Sequence, residues 1–363
     1  MDSTTTDNIR RKSENERFMF RCLQLAGYGN NFVAPNPMVG ALVVHNGQII
    51  GEGFHQHYGD AHAEPNAINA VENPELLRES TLYVSLEPCS HYGKTPPCAD
   101  LIIRSGIPKV VVGTVDPNPK VAGRGIEILR KAGISVEVGI IEEHCRELNK
   151  RFFTFHQCNR PYIFLKWAQT HDGFLDILRS KPEEPPLQIS NRITKLLTHK
   201  IRSENQSILV STNTVLLDNP SLTVRNWGGK NPIRLAIDRK NRIPAHYHLF
   251  DGTVRTIIFS ESTNYNKTNV EYISMDGETI NLNKLLQKIY ERNIHSILVE
   301  GGSKLLNSFI ESDLWDEANV EVSPAKISIG VPAPFINLQP VSRQNINGNE
   351  WMSFINPTKK LNV

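Results

Sequence analysis

Three short runs constrain this chain more than anything else in it: His62-Ala63-Glu64, Pro88-Cys89 and Pro97-Cys98. One imidazole and two thiolates are three ligands of the kind zinc favours, and a catalytic zinc keeps its fourth position open for water. The fold must then bring these separate segments to one point. Glu64 sits two residues from a ligand, where a carboxylate reaches that water without binding the metal and can shuttle its protons. Two other readings of the same residues stand beside this one. The site can be a structural zinc with His91 or His55 as fourth ligand. It can also be two buried cysteines without metal, since free cysteine is among the most buried residue types.

The surrounding pattern supplies elements to hold these groups. A helix is expected over 14–27, with Phe18, Cys22 and Leu25 on one stripe. Strands over 38–45 and 48–54 flank Asn46-Gly47, a two-residue hairpin signal. A helix over 62–71 tolerates Pro65 because it falls in the first turn. There follow a strand over 81–86, a helix over 97–104, a strand over 109–114, a helix over 125–131, a strand over 135–138 and a helix over 141–155. The order ββαβαβαβα implies a three-layer α/β/α domain with a mixed sheet. Residues 1–13 read as a disordered tail, so this domain is expected over 14–158.

A second α/β domain is expected over 159–363. It has strands over 162–168, 207–211, 233–237, 255–259 and 296–299, and helices over 193–202, 282–292 and 303–311. The chain's 363 residues suit two domains of roughly 100–200 residues each. Forty basic against 38 acidic residues leave a net charge of +2. That is too weak a cationic field for a dedicated binder of nucleic acid or membrane surface, yet enough for a small anion held by local cations. No apolar run is long enough to span a bilayer, and the polar start lacks a signal peptide's apolar core. Five cysteines, an odd count with no secretion signal, point to a reduced, cytoplasmic setting.

The H-x-E…P-C…C pattern is the mark of zinc nucleobase deaminases. Here, however, eight residues separate the cysteines, and they include His91, Lys94 and Thr95. Together with Ala34-Pro35-Asn36-Pro37-Met38-Val39-Gly40, His55 and the run from Glu87 to Cys98, this resembles the bifunctional riboflavin-biosynthesis deaminase–reductases. The resemblance implies a cytidine-deaminase-like domain that deaminates diaminohydroxyphosphoribosylaminopyrimidine. Zinc would sit on His62, Cys89 and Cys98, with Glu64 catalytic. Asn36 and His55 would contact the base or sugar, and His91, Lys94 and Thr95 the phosphate side. A nucleoside or tRNA deaminase with a degenerate second half is the rival, disfavoured by the near-neutral charge and the insert.

Gly123-Arg124-Gly125, still in the first half, is not a dinucleotide fingerprint, because Ile128 stands where the third glycine belongs. Val299-Glu300-Gly301-Gly302-Ser303 offers a better anion site, a strand entering a helix with bare backbone N–H groups at the turn. The resemblance continues through 160–173 and 214–225. It implies a dihydrofolate-reductase-like domain that uses NADPH to reduce the ribosyl group to ribityl. By it, Lys166, Ala168, Thr214, Asp218, Gly301, Gly302 and Ser303 fall to the cofactor. Arg202, Leu222, Arg225 and Glu300 fall to the substrate, with both arginines facing its phosphate. Arg239 departs from the pattern, standing where Ser is common near the cofactor. The expected partners are a small phosphorylated pyrimidine and further copies of the chain, as a dimer or tetramer, and neither nucleic acid nor a membrane.

Overall fold

The computed structural model describes residues 3–90, 96–119, 121–261, 268–275 and 280–359, with the backbone alone for residues 3–12. The chain divides into two compact units, Met1–Asn159 and a second that begins at Arg160. The first contains α1 (Ser3–Gly27), β1 (Gly40–His45), β2 (Gln48–Phe54), α2 (Ala63–Asn69), β3 (Thr81–Leu86) and α3 (Cys98–Arg104). It continues with β4 (Lys109–Thr114), α4 (Arg124–Lys131), β5 (Ser135–Val138), α5 (Glu142–Leu148) and α6 (Lys150–Cys158).

The sheet order is β2-β1-β3-β4-β5. β1 runs antiparallel to β2 and β3, while β3, β4 and β5 are parallel. Its central strands are apolar along both faces because both faces are covered. Val43, Val84 and Val112 pack against Ala63 and Ala67 of α2 and Ile102 of α3. Leu42, Tyr83 and Val111 pack against Phe18, Met19 and Cys22 of α1. Glycines in β2 let α2 lie directly on the strand's backbone. A Cβ at Gly53 would stand 2.3 Å from the Ala67 nitrogen, far inside any real contact.

The first helix is described from Ser3. Its residues 3–13 hold neither proline nor glycine, and extending an existing helix costs little compared with nucleating one. One expectation for this unit needs correction. The helix expected over 141–155 is broken at Asn149, whose side chain accepts from the Met38 nitrogen and donates to the Met38 oxygen, both at 2.8 Å. That clamp fixes the segment that carries Asn36.

The second unit contains β6 (Tyr162–Gln169), β7 (Phe174–Asp176), α7 (Arg192–Glu204), β8 (Ser207–Ser211), α8 (Thr212–Asp218), β9 (Ile233–Ile237) and β10 (Thr256–Ser260). Then come β11 (Val270–Ser274), α9 (Leu282–Tyr290), β12 (Ser296–Gly301), α10 (Ser303–Glu311), β13 (Glu317–Val322), β14 (Val331–Pro332), β15 (Ser342–Ile346) and β16 (Asn349–Ile355). Nine strands form one sheet in the order β11-β10-β9-β8-β12-β6-β13-β16-β15. It is parallel from β11 to β13 and antiparallel at β16 and β15. Leu165, Leu209 and Val299 pack with Leu285 and Leu306 of α9 and α10. Phe164, Ile208 and Leu298 pack with Ile201 and Val215 of α7 and α8 on the opposite face. No helix among the described residues is long and apolar enough to cross a membrane.

Candidate active sites in the two units

His62 is the N-cap of α2, Cys98 opens α3, and Cys89 lies just beyond β3. His62 Nδ1 stands 3.6 Å from Cys89 Sγ and 3.4 Å from Cys98 Sγ. The three donor atoms all lie within 4.8 Å of one another, and among the described residues this group has three members. One ring nitrogen and two sulfurs at that separation fit a single zinc ion. The Cys98 backbone N–H points at Cys89 Sγ from 3.3 Å. Hydrogen bonds from Cys98 and from His62 hold the Cys89 thiol well below its ordinary value, so one sulfur is already disposed to be a thiolate.

Glu64, in the first turn of α2, is 3 % exposed. Burial pushes its carboxyl up to about 7, against the opposing pull of His62. His55 is no spare metal ligand. Its Nε2 lies 3.1 Å from Asn36 Nδ2 and its Nδ1 lies 3.0 Å from the Ala61 oxygen, so both ring nitrogens are engaged. The ring meets that of His62 edge-on with centroids 5.3 Å apart. Asn36 and His55 are thus brought beside the metal-ligand group. His91, Lys94 and Thr95 lie outside the described residues.

One residue with a large structural role was not singled out from the sequence. Glu87, 4 % exposed, accepts from the backbone N–H groups of Gly123 and Gly125, both at 2.9 Å, and of Asp116 at 3.2 Å and Ile126 at 3.4 Å. The Gly-Arg-Gly run that failed as a nucleotide fingerprint therefore does bind an anion, the chain's own carboxylate. An acidic residue between an apolar strand and Pro-Cys was the available signal.

In the second unit a cavity of about 620 Å³ is lined by Lys166, Ala168, Thr214, Asp218, Glu300, Gly302 and Ser303, among others. Gly301 adjoins it with φ +120°, a conformation that L residues rarely adopt. A Cβ on Gly302 would press on Thr214 Oγ1 at 3.3 Å, and the Gly302 N–H donates to Ser211 Oγ at 3.2 Å. The turn therefore lies tight against the start of α8. That bare backbone opening on a roomy cavity fits a dinucleotide. Asp218 is held there by Arg179, which also binds Asp176.

Of the residues expected at the substrate, Arg202 meets Glu300. Arg202 donates to it through Nε and Nη2 and to the Thr223 oxygen through Nη1. Leu222 is buried with φ +53°. Arg225 is exposed and donates to Ser221 Oγ at 3.0 Å. His199, one turn before Arg202, was not singled out from the sequence. It is buried with no partner for Nδ1 among the described residues, and burial together with the two arginines pushes it down to about 4.

Comparison with known proteins now bears on both halves. Residues 12–114 match the cytidine and deoxycytidylate deaminase zinc-binding region, and residues 161–335 match the RibD C-terminal domain. The riboflavin biosynthesis protein RibD of Aquifex aeolicus is 40% identical over 323 residues, spanning 87% of this chain and 88% of that protein. This chain belongs to the RibD family. RibD of Escherichia coli is 34% identical, over 86% of this chain and 88% of its own. A crystal structure from Thermotoga maritima, described as a diaminohydroxyphosphoribosylaminopyrimidine deaminase/5-amino-6-(5-phosphoribosylamino)uracil reductase, superposes with TM-score 0.86 at 37% identity. It covers 95% of this chain and 99% of its own. Like the RibD family as a whole, the chain is a bifunctional deaminase and reductase of riboflavin biosynthesis. It pairs a zinc-dependent deaminase of cytidine-deaminase-like fold with an NADPH-dependent reductase of dihydrofolate-reductase-like fold.

Proposed function

We propose that the first unit deaminates diaminohydroxyphosphoribosylaminopyrimidine and that the second reduces the ribosyl group of the product to ribityl. The observation that carries the reading is the convergence of His62, Cys89 and Cys98 within 4.8 Å, beside a buried Glu64. Zinc supplies Lewis-acid activation of water there. Glu64 would carry one proton from the attacking water to the ring nitrogen and then a second, from the resulting hydroxyl, to the amine that leaves as ammonia when the C–N bond breaks, a role supported by its burial and its position two residues from the ligand His62. Asn36 and His55, locked to each other, hold the pyrimidine edge. In the second unit NADPH supplies the hydride. The Gly301–Gly302 turn binds its phosphates, Lys166 and Glu300 border the reacting sugar, and Leu222 and the two arginines hold the far end of the substrate. Catalysis there is mainly positioning.

Five free cysteines support work in the reducing cytoplasm, and we read the enzyme as a homo-oligomer. The deciding experiment incubates the purified chain with the pyrimidine, with and without NADPH, and identifies the products by mass. Exchange of one amino group for oxygen without NADPH, followed by a gain of two hydrogens with it, is the expected pair of results. No mass change in either tube overturns the reading.

A further inference from the structure

We propose that Arg242 reads the 2′-phosphate of NADPH and thereby sets this enzyme's preference for NADPH over NADH. The inference rests on the assignment of the cavity in the second unit to that cofactor. β12, β8 and β9 are consecutive parallel neighbours, so the turns that follow them emerge along one edge of the sheet. Gly302 and Arg242 lie in such turns and Thr214 in the first turn of α8, and all three residues line the same cavity. Two strand spacings separate the turn at Gly302 from that at Arg242, about 10 Å. A dinucleotide with its diphosphate at Gly302 therefore extends its adenosine ribose toward the turn after β9.

That turn is built to present a cation. In many parallel-sheet enzymes a carboxylate at such a position takes the ribose hydroxyls of NAD, whereas an arginine accommodates the 2′-phosphate of NADP. Asp238 has the right place for the first role, but both of its oxygens are taken. Its Oδ1 accepts from the Arg242 N–H at 3.0 Å, and its Oδ2 accepts from the Ile243 N–H at 2.9 Å. It is 2 % exposed. Asp238 thus shapes the turn, and Arg242 meets the ligand.

Arg242 is exposed, its guanidinium donates to the neutral Asn213 Oδ1 at 3.1 Å, and it makes no ion pair among the described residues. The other arginine and lysine candidates differ. Arg239 pairs with Glu261, Arg179 with Asp176 and Asp218, and Lys166 with Glu321. Lys304 is exposed in the first turn of α10, beside Gly302 and Ser303, where the diphosphate would sit. A planar guanidinium suits two-point contact with a phosphate.

The test measures equilibrium binding of NADPH and NADH to the full-length chain by isothermal titration, with 2′,5′-ADP as a competing probe. Arg242→Ala should raise the Kd for NADPH by about 10- to 150-fold, the range of one charge-assisted contact. Its Kd for NADH should stay within about twofold of the parent's, which also shows that the site still folds. 2′,5′-ADP should lose its ability to compete. Arg239→Ala and Lys304→Ala should keep the parent's ratio of the two affinities. Equal loss for both nucleotides, no loss for either, or a selective loss in one of the other two variants overturns the proposal. A parent protein that binds neither nucleotide overturns the cofactor assignment itself, and with it this inference.

Discussion

Arg202 closes a two-point ion pair on Glu300, with Nε 2.7 Å from Oε1 and Nη2 2.6 Å from Oε2. The family resemblance places both residues at the substrate, and the fold turns them first toward each other. Both side chains are only 13 % exposed, so each charge depends on the other for compensation.

Glu300→Ala should therefore destabilise the reductase unit by about 3–5 kcal/mol, the usual cost of leaving one buried charge unpaired. Glu300→Gln, which keeps the shape and one acceptor, should cost less. Zinc content and deamination should be unchanged in both. Urea unfolding followed by tryptophan fluorescence reports the difference. A transition in the alanine variant within about 1 kcal/mol of the parent's would show that the pair contributes little.

The same pair sets a pH dependence. Burial alone would raise the Glu300 carboxyl, but the charge and hydrogen bonds of Arg202 outweigh it and leave it below its ordinary value of 4.5. A group with a depressed pKa contributes stability that is complete above its unfolded value and lost as the pH falls through the folded one. The reductase transition should accordingly weaken as the pH drops below 4.5, and Glu300→Gln should remove part of that slope. Parallel pH profiles for parent and variant would count against this.

In the deaminase unit, Glu64→Gln should keep zinc and lose deamination by about 10²–10⁴-fold, the typical worth of a positioned proton carrier. Reduction of supplied deaminated intermediate should be little affected. Atomic absorption and ammonia release measure the two sides. Loss of zinc in this variant would make Glu64 a ligand instead.

Glu87 is tested by stability and zinc affinity together. Glu87→Ala strands backbone donors that are now bonded, among them those of the buried Gly125 and Ile126, at about 1–3 kcal/mol for each one left dry. Because Glu87 precedes Pro88-Cys89, the thiolate should also lose its placement. A lower Tm together with weaker zinc retention against a chelator is the expected result. A normal Tm with full zinc retention would leave Glu87 no structural part.

The metal-ligand group is legible in the sequence because its chemistry is local. His-Ala-Glu at a helix start and two Pro-Cys pairs name their donors by residue type alone. The parallel strands with long apolar runs are legible for the same reason, as Ser207–Ser211 and Ile233–Ile237 match their expected limits residue for residue. β15, by contrast, reads Ser-Arg-Gln-Asn-Ile and is largely exposed. It carries no apolar period and is a strand because β16 pairs with it. The break at Asn149 belongs with β15, since it answers a hydrogen-bonding demand at Met38, 111 residues away. Residue types thus determined which chemistry this chain can hold. Tertiary structure alone decided that Asn36 and His55 meet beside His62, that Glu87 clamps the Gly123–Gly125 turn, and that Arg202 spends its charge on Glu300. Each of those is a contact between distant segments, set by strand order and burial, and no local pattern encodes such distances.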